Sequence, residues 1–211
     1  MIPIVAACVA GLAAISTQVA AASPGGWRIV LEWSPEACHA NRESKEPQCR
    51  EEHYFVLGRL EPVTRGADGT CTDDALDPGL VEKAFLDIPN RRAIRNAWKK
   101  DGSCSGLPAS EYVLQLSRAT RRFEIPEDLR QVRGDDVVSS QPELAGKFVS
   151  INPGLSEHAL AFDCTKKYLR SVVMCVDDKF DPMPCDGDVV RDCRSEVRIR
   201  GFPKRRVRSG Q

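Results

Sequence analysis

Histidine is scarce in this chain: three of 211 residues, His39, His53 and His158. Imidazole is the side chain best suited to proton transfer near neutrality, so any acid–base site has few candidates to draw on. No two of these histidines have the spacing of a metal-ligand pair, and no C-x-x-C pair occurs. Neither a metal nor another cofactor is therefore expected. An excess of one charge is also missing. Thirty basic and thirty acidic side chains cancel, so no global field marks the chain for nucleic acid or a membrane surface. The apolar runs are too short to span a bilayer comfortably, and no internal repeat or interdomain linker is evident. At 211 residues, 42% hydrophobic and 28% charged, the chain has the length and composition of one globular domain, or one plus a small appendage.

Cysteine, by contrast, is plentiful, with nine residues. The first 26 residues carry no charged side chain, "IPIVAACVAGLAA" (2–14) is a short apolar run, and "VAAAS" (19–23) supplies small residues of the A-x-A kind. That pattern predicts a secretory signal over residues 1–22, cleaved near Ala21 or Ala22, although it lacks a positive n-region. A lipoprotein reading through "VAAC" and Cys8 stays open, but the segment after Cys8 remains apolar. The expected destination is the periplasm or the medium, without membrane association once the signal is gone. Loss of Cys8 leaves eight cysteines: Cys38, Cys49, Cys71, Cys104, Cys164, Cys175, Cys185 and Cys193. An even number in an exported chain implies disulfides, but spacing alone does not choose the pairing.

"WRIVLEW" (27–33) alternates apolar and polar residues as a half-buried strand does, and "HYFVLGRL" (53–60) is a second strand candidate. Residues 61–78, rich in Gly, Asp, Pro and Thr, read as a surface loop held by Cys71. Residues 79–88 place Leu80, Val81, Ala84, Phe85 and Ile88 on one helical face; residues 91–100 do the same with Ile94, Ala97 and Trp98. Residues 110–123 form the strongest helix pattern, with Ser110 as its cap and Tyr112, Val113, Leu116, Ala119 and Phe123 at helical spacing. A further helix is expected over 142–150. The last third turns to strands in "ALAFDC", "YLRSVVMCVD" and "EVRIRGF". Helices between early and late strands predict a single α+β domain over 23–202. Behind it lies a basic tail, 203–211. The segment 197–211 carries six basic residues and no acid, which suits phosphate contact as well as a plain solvated terminus.

Chemistry-bearing side chains crowd into "IRNAWKKDGSCSG" (94–106), and here the chain resembles a known family. "LEWSPEAC" (31–38) is similar to S-W-S-P-x-x-C of the ribonuclease T2 family. "YFVLGRLEP" (54–62) is similar to its first catalytic segment, F-x-x-H-G-L-W-P, and "RNAWKKDGSCSG" (95–106) to its second, H-(E/Q)-W-x-K-H-G-T-C-S-G. "EYVLQLSRATRRFEIPEDL", "INPGLSEHALAFDC" and "VVMCVDDKFDPMPC" follow in family order, so the resemblance runs over roughly residues 27–200, towards exported proteobacterial members. It implies a ribonuclease T2-like α+β fold, with a central, mostly antiparallel sheet flanked by helices. It also implies the pairs Cys38–Cys49, Cys71–Cys104, Cys164–Cys193 and Cys175–Cys185. The implied activity is transesterification on RNA: one histidine takes the 2′-OH proton, another protonates the leaving oxygen, and a lysine with an acid stabilises charge at phosphorus.

Carried over position by position, the family's histidines fall on Gly58, Asn96 and Asp101, while Lys100, Trp98, Gly102, Ser103 and Cys104 are retained. The first segment's tryptophan falls on Glu61. If Gly58 instead matches the family glycine, that histidine is simply absent. His53 lies before Gly58 on the same expected strand, roughly 16 Å away, too far to substitute. The resemblance thus implies a frame without its proton-transfer groups. The expected protein is catalytically inactive or severely impaired, and binds RNA, nucleotide or another anionic ligand through Lys100 and Trp98. The alternative is residual cleavage to 2′,3′-cyclic phosphates with Asp101 as base, a role for which an exposed carboxylate is poorly matched; a weaker third option makes the cleft a protein interface. Plainer readings stand beside these. Lys100 can be a solvated lysine, Trp98 core packing, and Arg59–Glu61 a solvated charge pair. Glu61 and Asp101 add negative charge where phosphate would lie, which predicts weak, mostly electrostatic RNA binding by a monomer, with the tail contributing more than the cleft.

Overall fold

Alternation in β1 (Trp27–Trp33) divides the strand between two environments. Trp27, Ile29, Leu31 and Trp33 are buried in the main core, whereas Arg28, Val30 and Glu32 line an open face. A computed structural model describes residues 25–64, 71–187, 189 and 193–203. The expected signal segment 1–22, with Cys8, and the tail after Pro203 lie outside the described residues. Antiparallel to β1 run β2 (Phe55–Pro62) on one side and β5 (Tyr168–Val176) on the other. Next to β5 lies β4 (Leu160–Thr165), also antiparallel. The sheet then continues through β6 (Val197–Ile199), parallel to β5 at one residue pair, to β3 (Val137–Ser139) at the edge. It is the central, mostly antiparallel sheet implied by the resemblance.

Helices α3 (Pro78–Phe85), α4 (Arg91–Lys100) and α5 (Ala109–Thr120) pack against the core face of this sheet, and α6 (Gln141–Ile151) adds Leu144 and Phe148. Asn90 caps α4 by accepting from the Ala93 N–H at 2.9 Å, and Ser140 caps α6 in the same way. Ser110 does not cap α5. The Pro108 carbonyl already accepts from the N–H groups of Glu111 and Tyr112, so the helix starts at Ala109 with Ser110 inside its first turn. The helix expected over 79–88 starts one residue earlier, where Asp77 caps it ahead of Pro78. It closes at Phe85, because the N–H groups of Asp87 and Ile88 both turn back to the Ala84 carbonyl. The pattern did not reveal two short helices after β1, α1 (Ser34–Ala40) and α2 (Pro47–Arg50).

All four disulfides form as the family order implies: Cys38–Cys49, Cys71–Cys104, Cys164–Cys193 and Cys175–Cys185. The first ties α1 to α2. The second ties the segment after β2 to a 3-10 turn (Gly102–Cys104) that follows α4. Among the described residues, no helix is long and apolar enough to cross a membrane.

Candidate functional site

A cleft of about 780 Å³ opens on the sheet face opposite the main core. Its floor is set by strand alternation: Arg28, Val30 and Glu32 from β1, with Ser171 and Val173 directly across on β5 and Asp163 beyond them on β4. One wall is helix α4, where Arg92, Asn96 and Lys100 recur every fourth residue and so share a face. Glu36 on α1 and the buried Gln48 on α2 complete the lining.

At Gly58 the β1–β2 ladder slips: Val30 faces Arg59 while Leu31 faces Leu57, which leaves Gly58 as the extra residue of a bulge. A Cβ at this position would lie 3.3 Å from the Glu32 Cβ and 4.0 Å from its Cδ. A side chain at 58 would therefore press against Glu32, which would have to give way by a few tenths of an ångström. Glu32 is itself held in place: Gln48 donates to its carboxylate at 3.1 Å, and Asn90 donates to the Gln48 carbonyl oxygen at 2.5 Å.

Asp101 is not the exposed carboxylate expected from the sequence. Its side chain is only 5% accessible and accepts both Arg59 Nε, at 2.9 Å, and Arg59 Nη2, at 2.7 Å. Arg59 Nη1 reaches Glu61 at 2.8 Å. One guanidinium therefore bridges both acids, so the negative charge they add is offset in part by Arg59. The hydrogen bond to Asp101 raises the Arg59 pKa above its ordinary value against the opposing effect of burial. Burial pushes the Glu61 carboxyl up, partly countered by Arg59, while Asp101 adds to the rise and Arg28 opposes it. Beneath this cluster the fully buried Tyr112 donates to the Leu60 carbonyl at 2.9 Å, and burial raises its phenol well above the usual range. It is no proton donor for the cleft.

Trp98 does not line the cleft. The helical turn that points Lys100 at the cleft points Trp98 into the core, where its Nε1 donates to the Asp74 carbonyl at 2.7 Å and its ring packs 5.8 Å from that of Tyr112. All three histidines lie elsewhere. His39 and His158 are exposed, and His53 precedes β2 and lines a small separate pocket with Phe55 and Leu57. Residues missed by sequence reasoning include Asp163, buried with one carboxylate oxygen bonded by Arg170 and the other without a hydrogen-bond partner. Among the described residues no His, Cys, Asp and Glu grouping fits a metal ion.

No protein-family model matches the chain. A 110-residue stretch, 52% of this chain, is 34% identical to a protein of Aeromonas hydrophila named ribonuclease; the match spans 46% of that protein, about half its length. Among solved structures, trichomaglin, described as a novel S-like ribonuclease, aligns with a TM-score of 0.64 at 16% identity, covering 84% of this chain and 97% of its own. The chain has the ribonuclease T2 fold. RNase NT, solved in complex with 5′-AMP, aligns with a TM-score of 0.60 at 17% identity over 84% of this chain and 97% of its own. Fold, disulfides and the matched stretch together bear out the resemblance to the ribonuclease T2 family, and Gly58, Asn96 and Lys100 line one cleft of this chain.

Proposed function

We propose that this exported protein binds RNA, nucleotide or another anionic ligand in its ribonuclease T2-like cleft, with cleavage absent or severely impaired. One observation carries the reading: five basic side chains line the cleft beside four carboxylates, but none of the three histidines does. Arg28, Arg92 and Lys100 line it and make no ion pair among the described residues. Without an imidazole, neither the uptake of the 2′-OH proton nor the protonation of the leaving oxygen has a matched group. The neighbour bound to 5′-AMP and the relative named ribonuclease support a nucleotide or RNA as the ligand. Four disulfides support a periplasmic or extracellular setting.

Residual cleavage is a second reading, favoured by Glu32. This carboxylate occupies the space beside Gly58 and faces the same cleft as Lys100. Equilibrium binding of a fluorescent RNA oligonucleotide at two salt concentrations tests the primary reading. Affinity should fall with salt, with a slope of about 0.7 per phosphate neutralised, and Lys100→Gln should weaken it. Binding that ignores both salt and Lys100 would contradict the electrostatic cleft.

A further inference from the structure

We propose that Arg59 is the phosphate anchor of the cleft and that Glu61 is an internal competitor for it, so that a phosphate group on the free edge of Arg59 is held less tightly while the Glu61 carboxylate stays beside it. This deepens the reading of the cleft as an anion site and rests on it. A guanidinium carries five N–H donors. Three are engaged here: Nε and Nη2 with Asp101, and Nη1 with Glu61. Two remain on the terminal nitrogens, the pair of atoms suited to a bidentate phosphate.

The two acids hold Arg59 very differently. Asp101 grips it through two bonds from a side chain only 5% accessible, while Arg59 itself stays 42% accessible and lines the cleft. Asp101 therefore aims the guanidinium outward from a buried footing. Glu61 contributes one contact, from a side chain 22% accessible on the cleft lining. It is the partner that competes with an anion on the free edge of Arg59. Arg28 stands directly across the β1–β2 ladder from Glu61, and Lys100 immediately precedes Asp101. Arg28 and Lys100 line the same cleft as Arg59, and its other carboxylates have partners of their own: Glu32 accepts from Gln48, Glu36 from Arg200 and Asp163 from Arg170. Where the family segment has glycine and tryptophan, this chain has Arg59 and Glu61. The pair is a feature of this chain, not of the family frame.

The test is isothermal titration calorimetry of the purified protein with inorganic phosphate and with 5′-AMP at low salt. Glu61→Gln should tighten both by roughly five- to twentyfold, because it removes a competing charge beside the anchor. Arg59→Lys keeps a cation but loses the planar fork, and in the Glu61→Gln background it should abolish that gain. Thermal melts of each variant establish that it is folded. Lys100→Gln should weaken binding by a similar factor with or without Glu61, which separates general attraction from the Arg59 contact. If RNA binds the unaltered protein but Glu61→Gln leaves phosphate affinity unchanged or lowers it, the competitor role is wrong and the cleft reading survives. If no variant binds phosphate, 5′-AMP or RNA, both fall.

Discussion

Arg59 and Asp101 form a pair whose two halves should fail unequally. Replacing Arg59 with Met leaves the Asp101 carboxylate, with a side chain only 5% accessible, without its counter-charge. Removing one partner of a buried pair in this way costs about 3–5 kcal/mol. Replacing Asp101 with Asn leaves a guanidinium that is 42% accessible and still bonded to Glu61 at 2.8 Å. Water and Glu61 compensate in part, so the cost falls to that of a charged hydrogen bond, about 1.5–3 kcal/mol. Taken at the middle of each range, Arg59→Met should therefore be the more damaging change by about 2 kcal/mol. Against a total stability of about 5–15 kcal/mol, that difference is readable. Urea denaturation with disulfides intact, compared at constant slope, gives both values, and the double variant gives their coupling. Equal costs, or a larger cost for Asp101→Asn, would refute the idea that a buried Asp101 holds Arg59 from within.

Three further outcomes follow from the same region and the chain's end. Gly102→Ala would put a Cβ 2.6 Å from Trp98 Cε3 and from the Tyr112 ring, an overpacking that should cost about 1–3 kcal/mol or more and lower the melting temperature measurably. Because burial raises the Glu61 carboxyl above its ordinary 4.5, its effect on stability is most favourable below about pH 4.5 and is lost as pH rises through the folded value. Glu61→Gln, facing Arg28, Arg59 and Asp101, should therefore gain stability relative to the unaltered protein between pH 4 and pH 7; a gap in melting temperature that shrinks over that range would contradict this. Deleting residues 203–211 should lower RNA affinity and flatten its salt dependence by about 0.7 for each phosphate that the tail neutralises; unchanged binding would leave the tail without such a role.

Local patterns carried much of this fold. Strict alternation in "WRIVLEW" marks both faces of β1, and the residues of its polar face floor the cleft. The bounds of α4 were legible because Asn90 caps one end while Asp101 and Gly102 end the other. Long-range pairings left no such mark. Arg59 and Asp101 are 42 residues apart, and no periodicity joins them, so Asp101 read as an exposed acid. Trp98 was ambiguous for a different reason. A tryptophan at helical spacing in a family segment looks the same whether it faces ligand or core, and only the packing of α4 on Tyr112 decides between them. The bulge at Gly58, and the Glu32 side chain beside it, depend on register between two strands, which neither strand shows alone.

Cleavage of a fluorogenic RNA dinucleotide by the purified mature protein, beside an active ribonuclease of the T2 family, tests the central claim most directly. The expected rate is at least about a thousandfold lower, since both the acid and the base are missing. Gly58→His, Asn96→His and Asp101→His together should return some cleavage to 2′,3′-cyclic phosphate ends. They must be accompanied by Arg59→Gly and Glu61→Trp, because replacing Asp101 otherwise leaves Arg59 without its buried partner. Single reversions should do little, because one imidazole cannot complete both proton transfers. Robust cleavage by the unaltered protein, abolished by Glu32→Gln or Asp101→Asn, would contradict the binding role and establish an enzyme with relocated carboxylate chemistry.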